Sequence, residues 1–459
     1  MTRAHSKYMI IGNSVAAIGA VEAIRQIDLN GSIMIISDES FPAYSRPLIS
    51  QYVTGEKDLD GLLYRPRDFY QRMKVETLLG VRATGIDYSN KIVSTSTGEE
   101  ISYGKLLLAT GARPGVPPIK GLGLPGVFTF TTLLDAMKIK DYLPKVKEIV
   151  IIGGGLIGLQ AAEALARLNR KVTVVEFMPR ILSPVLDQTG ADMVMNLFAR
   201  NGVEILTGKA ASEIIPDTDG SADGSTDGSA GAVVLKDGTS LPCDMVIIAT
   251  GVVPRLELAR SEAGNSHGCP ETGRGILVND AMETTVPGVY AAGDAALGKD
   301  LLSGAARPLP IWPNAYLQGR VAGLNMAGRH SSFRGGLAMN AIHFFGLPVV
   351  SAGIFDAPEK DESGAEWEMV SELKREKGFY RKIVLRGNKA VGMIGIGDGV
   401  ERAGVIVGCI ANQIDCKSFK IDLLRNPGIS LFPGSIRQGM TFGRIGNEWW
   451  RSREEAGVV

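Results

Sequence analysis

Glycines at fixed spacing carry the most specific chemistry in this chain. The run Ile149-Val150-Ile151-Ile152-Gly153-Gly154-Gly155-Leu156-Ile157-Gly158 reads as an apolar strand, a G-x-G-x-x-G turn and the start of a helix. Gly153 permits the tight turn, Gly155 lets a pyrophosphate approach the backbone, and Gly158 lets helix and strand pack closely. The helix N-terminus, Ile157 included, offers free N–H groups to phosphate oxygens. Lys171-Val172-Thr173-Val174-Val175-Glu176 then supplies a second strand ending in a carboxylate. Together these are the parts of a dinucleotide site. Glu176 can accept hydrogen bonds from a ribose diol and would repel a 2′-phosphate, so NAD(H) is expected over NADP(H). Arg180 lies close enough in sequence to soften that preference, and an ordinary strand-end acid is the other reading of Glu176.

A second, eroded copy stands at the N-terminus. Tyr8-Met9-Ile10-Ile11 precedes Gly12-Asn13-Ser14-Val15-Ala16-Ala17, where only the first glycine of the pattern remains. Ser14 and Ala17 are small enough to keep most of the close approach, and Ile33-Met34-Ile35-Ile36-Ser37-Asp38 adds a strand with its acid. Alone this fits an ordinary βαβ unit equally well. Far downstream, Thr284-Thr285-Val286-Pro287-Gly288-Val289-Tyr290-Ala291-Ala292-Gly293-Asp294 predicts a turn and a short strand. It ends in a carboxylate placed to accept a hydrogen bond from a polyol. Two further stretches, Leu107-Leu108-Ala109-Thr110-Gly111-Ala112-Arg113-Pro114 and Ile247-Ile248-Ala249-Thr250-Gly251-Val252-Val253-Pro254, share the pattern strand, Ala-Thr-Gly, x-x-Pro. Each closes one half of an internal duplication, so the chain holds two related nucleotide-binding modules.

These motifs resemble the FAD- and NAD(P)H-dependent pyridine nucleotide-disulfide oxidoreductases, and the resemblance covers nearly the whole chain. It implies an α/β fold with two Rossmann-like dinucleotide-binding domains and a C-terminal α+β interface domain. It also implies FAD on the first module, at Gly12, Ser14, Asp38, Arg46, Pro47, Thr110, Gly111, Gly293, Asp294 and Pro313. NAD(H) would lie on the second, at Gly153, Gly155, Ile157, Gly158, Glu176 and Gly251. Disulfide reductases of this family carry a C-x4-C pair on the helix after the first acid, and NADH oxidases and peroxidases carry one cysteine there. Here that region reads Phe41-Pro42-Ala43-Tyr44-Ser45-Arg46-Pro47-Leu48-Ile49-Ser50-Gln51-Tyr52, without cysteine. Serine forms no comparable low-pKa nucleophile, so dithiol chemistry at the flavin is out.

The same stretch, with Trp312-Pro313-Asn314-Ala315-Tyr316-Leu317-Gln318-Gly319, is similar to rubredoxin and ferredoxin reductases and to the NADH-binding portion of nitrite reductases. In that comparison a helix start at Trp312 would turn its positive dipole end toward the flavin pyrimidine ring. Many ferredoxin reductases pair a Lys and a Glu beside the flavin where this chain carries Gln51 and Gln160. A neutral amide contact near flavin N5 is therefore expected, tuning potential or nicotinamide placement; two surface glutamines are the alternative.

Length and composition agree. The chain has 459 residues, enough for three domains. Its formal net charge is zero, which gives no electrostatic case for nucleic acid or an anionic membrane. Residues Met1 to Lys7 are too short and polar for a signal peptide, and glycines break the apolar runs before spanning length. Cys243, Cys269, Cys409 and Cys416 are scattered, which suggests a reducing cytoplasm. The motifs place an FAD domain at 1–118 and 247–330, an NAD domain at 119–246 and an interface domain at 331–459. Asp217 to Gly231, a run of Asp-Gly-Ser triplets, reads as a solvated hairpin tip and lacks the spacing of a calcium loop.

In the C-terminal part, Ala338 to Pro348 predicts a strand and turn, and Phe379 to Leu385 with Ala390 to Gly395 a hairpin. His343 is expected to pack beside Phe344 and not to act as a base. Cys409 and Cys416 read as buried apolar thiols, with a metal pair or redox disulfide as alternatives. Trp449-Trp450 would either dock on a partner or cover their own domain. No C-x2-C-x2-C or similar cluster-ligand run occurs, so an iron–sulfur centre must sit on a partner. The expected function is a cytoplasmic NADH:acceptor flavoprotein passing electrons between NAD(H) and, via FAD, a redox or iron–sulfur protein. It would act as a subunit of a larger complex and oligomerise through its C-terminal domain. A stand-alone NADH oxidase and a non-catalytic nucleotide-bound scaffold are the rivals.

Overall fold

The computed structural model describes residues 4–217, 228–260, 268–356 and 364–425. The triplet run from Asp217 therefore falls largely outside the described residues, and Trp449-Trp450 wholly so. Strand β1 (Ala4–Ile11) is followed by helix α1 (Val15–Ile27) and β2 (Ile33–Ser37). Its inner residues Met9 and Ile10, and all of Ile33 to Ile36, are buried, as near-continuous apolar runs become in a parallel sheet covered on both faces. Truncating Ile10 or Ile35 to alanine would cost roughly 2–5 kcal/mol. β3 (Val75–Leu79), β4 (Ala83–Asp87), β5 (Ile92–Thr95) and β6 (Glu100–Leu108) complete the sheet with order β3-β2-β1-β6-β5-β4. Between β2 and β3 lie α2 (Ile49–Thr54) and the short turns α3 (Leu59–Leu62) and α4 (Phe69–Arg72). Because β2 and β6 flank β1 on opposite sides, the crevice at the carboxyl end of β1 is a topological switch point, where α/β sheets bind ligands.

A second parallel sheet repeats the plan. After β7 (Ala112–Pro114), strands β8 (Val127–Thr129), β9 (Glu148–Ile152), β10 (Lys171–Glu176) and β11 (Val203–Thr207) alternate with helices α5 (Leu133–Tyr142) and α6 (Leu156–Arg167). Helix α7 (Gln188–Arg200) precedes β11. An antiparallel layer of β12 (Ala211–Pro216), β13 (Ala230–Leu235) and β14 (Ser240–Pro242) follows, then β15 (Met245–Ile248). The order is β11-β10-β9-β15-β8, so the switch point lies at the end of β9. Strand β15 pairs with β9 through Ile248, so the chain leaves this sheet at β16 (Val252–Pro254) and not at the expected residue 247. The reason is that the apolar strand belongs to the second sheet; only the Ala-Thr-Gly turn after it crosses over.

The two Ala-Thr-Gly segments meet. β7 and β16 form a two-stranded antiparallel ribbon, with Val252 opposite Pro114 and Pro254 opposite Ala112. The Thr110 hydroxyl donates to the Arg255 carbonyl at 3.2 Å, and the Thr250 hydroxyl donates to the Gly115 carbonyl. The repeated motif is thus a mutual brace between the two crossings. Beyond it come β17 (Ile276–Leu277), β18 (Val289–Ala291), β19 (Ala296–Lys299), β20 (Ala306–Arg307) and α8 (Trp312–Met326). β18 joins the first sheet parallel to β6, with Ala291 beside Leu108. Helix α8 packs on α1 at close range: a side chain on Gly319 would strike the Ala16 backbone, and one on Gly323 that of Ala20.

The described residues divide between two compact units, Met1–Pro184 with Ala191–Ala338 and Val185–Gly190 with Met339–Val459. The break thus falls at 339, not 331, because Phe333 belongs to the first core and its N–H bonds the Asp280 carbonyl. The second unit is an antiparallel sheet of β21 (Met339–Phe344), β22 (Leu347–Gly353), β25 (Lys389–Ile396), β24 (Phe379–Arg386) and β23 (Trp367–Lys374), in that order. Phe345 and Gly346 both take positive φ between β21 and β22, the geometry of a two-residue hairpin turn. Helices α9 (Ala403–Asn412) and α10 (Lys420–Arg425) complete it. His343 is exposed and does not pack beside Phe344, because β21 is an edge strand whose residues alternate between faces. Among the described residues no helix is long and apolar enough to cross a membrane.

Candidate functional site

The intact glycine motif folds as its spacing requires. Gly153 has φ +116°, and a Cβ there would collide with the Ala249 carbonyl. Gly155 is the N-cap of α6 and faces open space, with nothing within 4 Å of where a Cβ would stand. Gly158 sits under the turn, where a Cβ would strike the Gly153 carbonyl. One glycine turns the chain, one keeps a path clear and one seats the helix. Ile157 lies in the first turn of α6, among the N–H groups that no helical carbonyl reaches. A cavity of about 580 Å³ opens over this turn, and its wall includes Gly153, Gly155, Glu176 and Gly251. Gly251 has φ +95° and also faces open space.

Glu176 ends β10 at the rim of that cavity. Its Oε2 accepts the Gly154 N–H at 2.6 Å and its Oε1 the Met178 N–H at 2.7 Å. Each oxygen keeps a lone pair after these bonds, which matches the two hydroxyls of a ribose diol. Arg180, by contrast, is not part of the cavity wall; its guanidinium donates to the Ser183 carbonyl at 3.4 Å. Lys209 and Lys236, from the segments after β11 and β13, line the same cavity as Glu176, and the Lys209 N–H donates to the Glu176 carbonyl at 3.0 Å. Nothing local in the sequence marks them, since only the pairing of distant strands brings them to this cavity.

The eroded motif keeps the same turn. Gly12 has φ +112°, and a Cβ there would collide with the Ala109 carbonyl. Ser14 takes the N-cap position of α1 without a side-chain capping bond, and Ala17 is fully buried against the sheet. Asn13 is fixed from both sides, by Phe41 (carbonyl, 3.2 Å) and by the Tyr70 hydroxyl at 2.8 Å. β18 delivers Gly293 and Asp294 to this end of the sheet. The Gly293 N–H donates at 2.8 Å to the buried Gln318 side chain of α8, which locks the turn before Asp294.

Asp294 is the most informative group here. Burial pushes its carboxyl up to about 6, against the pull of the Arg46 guanidinium. It accepts no hydrogen bond among the described residues. A buried carboxyl with open acceptor capacity suits hydroxyl donors, and so the residues present fit the ribityl polyol of FAD. Arg46 sits in the three-residue turn Arg46–Leu48 with Pro47; it pairs with Glu39 and donates to the Thr131 carbonyl at 3.0 Å. The Tyr44 hydroxyl also donates to Glu39, at 2.6 Å, and accepts the Leu133 N–H at 2.9 Å. These bonds tie the loop before α2 to the start of α5. Asp38 is exposed and pairs with Arg255 at 3.3 Å, a partner the sequence does not announce across such a separation. Thr110 and Gly111 lie in the brace described above, Gly111 with φ +68° and open space before it. Pro313 opens α8, where its fixed φ suits a helix start. Trp312 meets Tyr64 edge to face at 5.1 Å.

Gln51 and Gln160 lie on α2 and α6, two helices that pack together, and both side chains are half-buried. Among the described residues no hydrogen bond joins them. The same two helices bring Val53, Ala161 and Leu165 around one small apolar gap. Cys409 and Cys416 are buried free thiols in hydrogen-bond contact, and Cys243 is a buried thiol pushed up to about 12. No group of three metal-ligating side chains occurs among the described residues.

Comparison with known proteins agrees with this geometry. Residues 6–319 match the pyridine nucleotide-disulphide oxidoreductase family, and residues 339–414 match the rubredoxin NAD+ reductase C-terminal domain. The chain is 31% identical over 426 residues to subunit epsilon of the NADH-dependent phenylglyoxylate dehydrogenase of Aromatoleum evansii, covering 92% of this chain and 96% of that one. It is 30% identical over 321 residues to the rubredoxin-NAD(+) reductase of Pseudomonas putida, covering 70% and 80%. The nitrite reductase of Bacillus subtilis is 30% identical over 86% of this chain, but the match spans only 46% of that longer protein. Among solved structures, the ferredoxin reductase for the CYP199A2 system of Rhodopseudomonas palustris superposes with a TM-score of 0.75 at 26% identity, over 88% of this chain and 93% of that one. The chain belongs to the pyridine nucleotide-disulphide oxidoreductase family and is an FAD-dependent NAD(P)H oxidoreductase.

Proposed function

We propose that this chain is the NADH-reading flavoprotein of a larger redox complex, passing electrons between NAD(H) and a separate redox or iron–sulfur protein. The carrying observation is two glycine turns on two parallel sheets with no cysteine between Asp38 and Gln51. Electrons that reach the flavin have no dithiol to enter, so they leave the molecule. When bound, FAD supplies a group that accepts hydride and releases electrons to an acceptor that takes them singly. The chain's own residues supply the rest. The α1 N-terminus at Ser14 with Arg46 and Pro47 would hold the FAD pyrophosphate, Asp38 its ribose, Gly293 and Asp294 its polyol. Thr110, Gly111 and Pro313 would frame the same cofactor. Gly153, Gly155, Ile157, Gly158 and Gly251 would bind the NAD(H) pyrophosphate side, and Glu176 its adenosine ribose. Water exclusion and orientation, not acid–base chemistry, are the work of this site.

Relatives support the complex: one is named as a dehydrogenase subunit, another as a reductase of rubredoxin. The C-terminal unit is assigned to subunit contact, with a cytoplasmic setting for the whole. The test is anaerobic addition of NADH to purified protein. It should be yellow, bleach with NADH, recover slowly in air and rapidly with the iron–sulfur protein that co-purifies from its host. Fast four-electron reduction of oxygen would favour a stand-alone NADH oxidase, and colourless protein a nucleotide-bound scaffold.

A further inference from the structure

Hydride can pass only if the two parallel sheets hold their ligands in register, and one buried hydroxyl spans them. Glu39 follows the carboxyl end of β2 in the first sheet, where its carbonyl accepts the Gly80 N–H at 3.1 Å. The turn into α5 follows the carboxyl end of β8 in the second sheet, with Thr129 beside Ile248 of β15. Ile248 leads directly into Ala249, Thr250 and Gly251 of the cavity wall. The Tyr44 hydroxyl joins these two places. It donates to the Glu39 carboxylate at 2.6 Å and accepts the Leu133 N–H at 2.9 Å.

The start of α5 otherwise satisfies itself. Asp135 accepts the Thr131 and Thr132 N–H groups at 2.9 and 3.0 Å, and the Thr132 hydroxyl accepts the Asp135 N–H at 3.1 Å. Leu133 is the first residue of the helix, so no helical carbonyl reaches its N–H and Tyr44 takes that place. Burial pushes the Tyr44 phenol up from its ordinary value, so it stays neutral and keeps both its donor and its acceptor role. The other Glu39 oxygen takes the Arg46 guanidinium. Tyr44 itself is not part of the cavity wall.

We propose that Tyr44 is a positioning residue for hydride transfer: its bridge from Glu39 to Leu133 sets how far apart the carboxyl ends of the two sheets, and with them the two cofactors, stand. The inference rests on the assignment of FAD to the first sheet and NAD(H) to the second made above. The reaction moves one hydride, a proton with two electrons, from NADH, which becomes NAD+, to the flavin, which is reduced. Alignment of the reacting groups governs that rate steeply, whereas each cofactor's affinity is set within its own module. Loss of the bridge therefore lowers the saturating rate and leaves binding in place.

The test is Tyr44→Phe in the flavin-loaded full chain. In anaerobic stopped flow, flavin reduction at saturating NADH should slow roughly tenfold or more while Kd for NADH stays within about twofold. Flavin content should not change. Hydrogen exchange should quicken roughly three- to tenfold at the Leu133 amide, the scale of one hydrogen bond. An unchanged saturating rate, a loss of flavin, a rise in Kd that matches the loss of rate, or unaltered exchange at Leu133 each overturns the proposal. Glu39→Gln and Glu39→Leu, close in size to glutamate, give a reading that does not depend on the Tyr44 variant folding. Glutamine keeps an acceptor for the phenol and should hold the rate within about threefold, whereas leucine should lose it as Tyr44→Phe does. Equal rates in those two variants overturn the bridge. Wild-type protein that is colourless or not bleached by NADH overturns the parent assignment; bleaching with an unchanged rate in Tyr44→Phe sinks the bridge alone.

Discussion

At the scale of single residues, Asp294 gives the flavin site a pH signature. Burial favours the neutral carboxyl, so flavin-free folded protein holds a proton there up to about pH 6, whereas an unfolded aspartate releases it near the ordinary 3.8. That contribution to stability is complete at low pH and is lost as pH rises through about 6. Hydroxyl donors favour the ionised form, so FAD affinity should climb over the same window. It should fall by up to about tenfold per pH unit below about 6. Titrating stripped protein with FAD between about pH 5 and 7.5 measures this, and Asp294→Asn should flatten the profile. A wild-type profile that is already flat would place the polyol elsewhere. Sequence showed that Asp294 was an acid at a strand end; its burial and its lack of a donor come from the packing of α8 and β18 around it.

At the scale of elements, the glycine turns separate the two halves of the reaction. A methyl on Gly158 would meet the Gly153 carbonyl, so α6 must shift away from β9 in Gly158→Ala. We expect that variant to keep its flavin, since the first sheet is untouched, while KM for NADH rises at least about tenfold or bleaching is lost, as a misplaced phosphate-binding helix forfeits its alignment. Flavin absorbance and anaerobic NADH titration read the two effects independently; loss of flavin together with NADH binding would show that the modules are not separable. The spacing of Gly153, Gly155 and Gly158 made this legible without coordinates. A bond between Gln51 and Gln160 was not, because which side chains of two packed helices meet is set by how the helices pack and not by spacing in sequence.

At the scale of the whole molecule, segment 185–190 contributes a buried carboxylate to the second unit. Asp187 accepts the Tyr380 hydroxyl at 2.6 Å and the Lys382 ammonium at 3.0 Å, and both charged side chains are about nine-tenths covered. Removing one partner of such a pair leaves the other uncompensated. Lys382→Met should therefore cost roughly 3 kcal/mol in urea unfolding of the full chain, and the double variant with Asp187→Asn less than the two singles combined. Additive losses would mean that the pair is not coupled. What the sequence by itself determined is local: strands of continuous apolar residues, glycines at fixed spacing, acids at strand ends and an absence of cysteine, all of which follow from backbone geometry within a few residues. What only the tertiary structure decided is which distant residues meet. Lys209 bonds the Glu176 carbonyl, Arg255 faces Asp38, and Asp187 is claimed by the second unit. Strand pairing and burial, not sequence distance, set those neighbours, because a charge interacts with what lies within a few ångströms of it wherever the chain has come from.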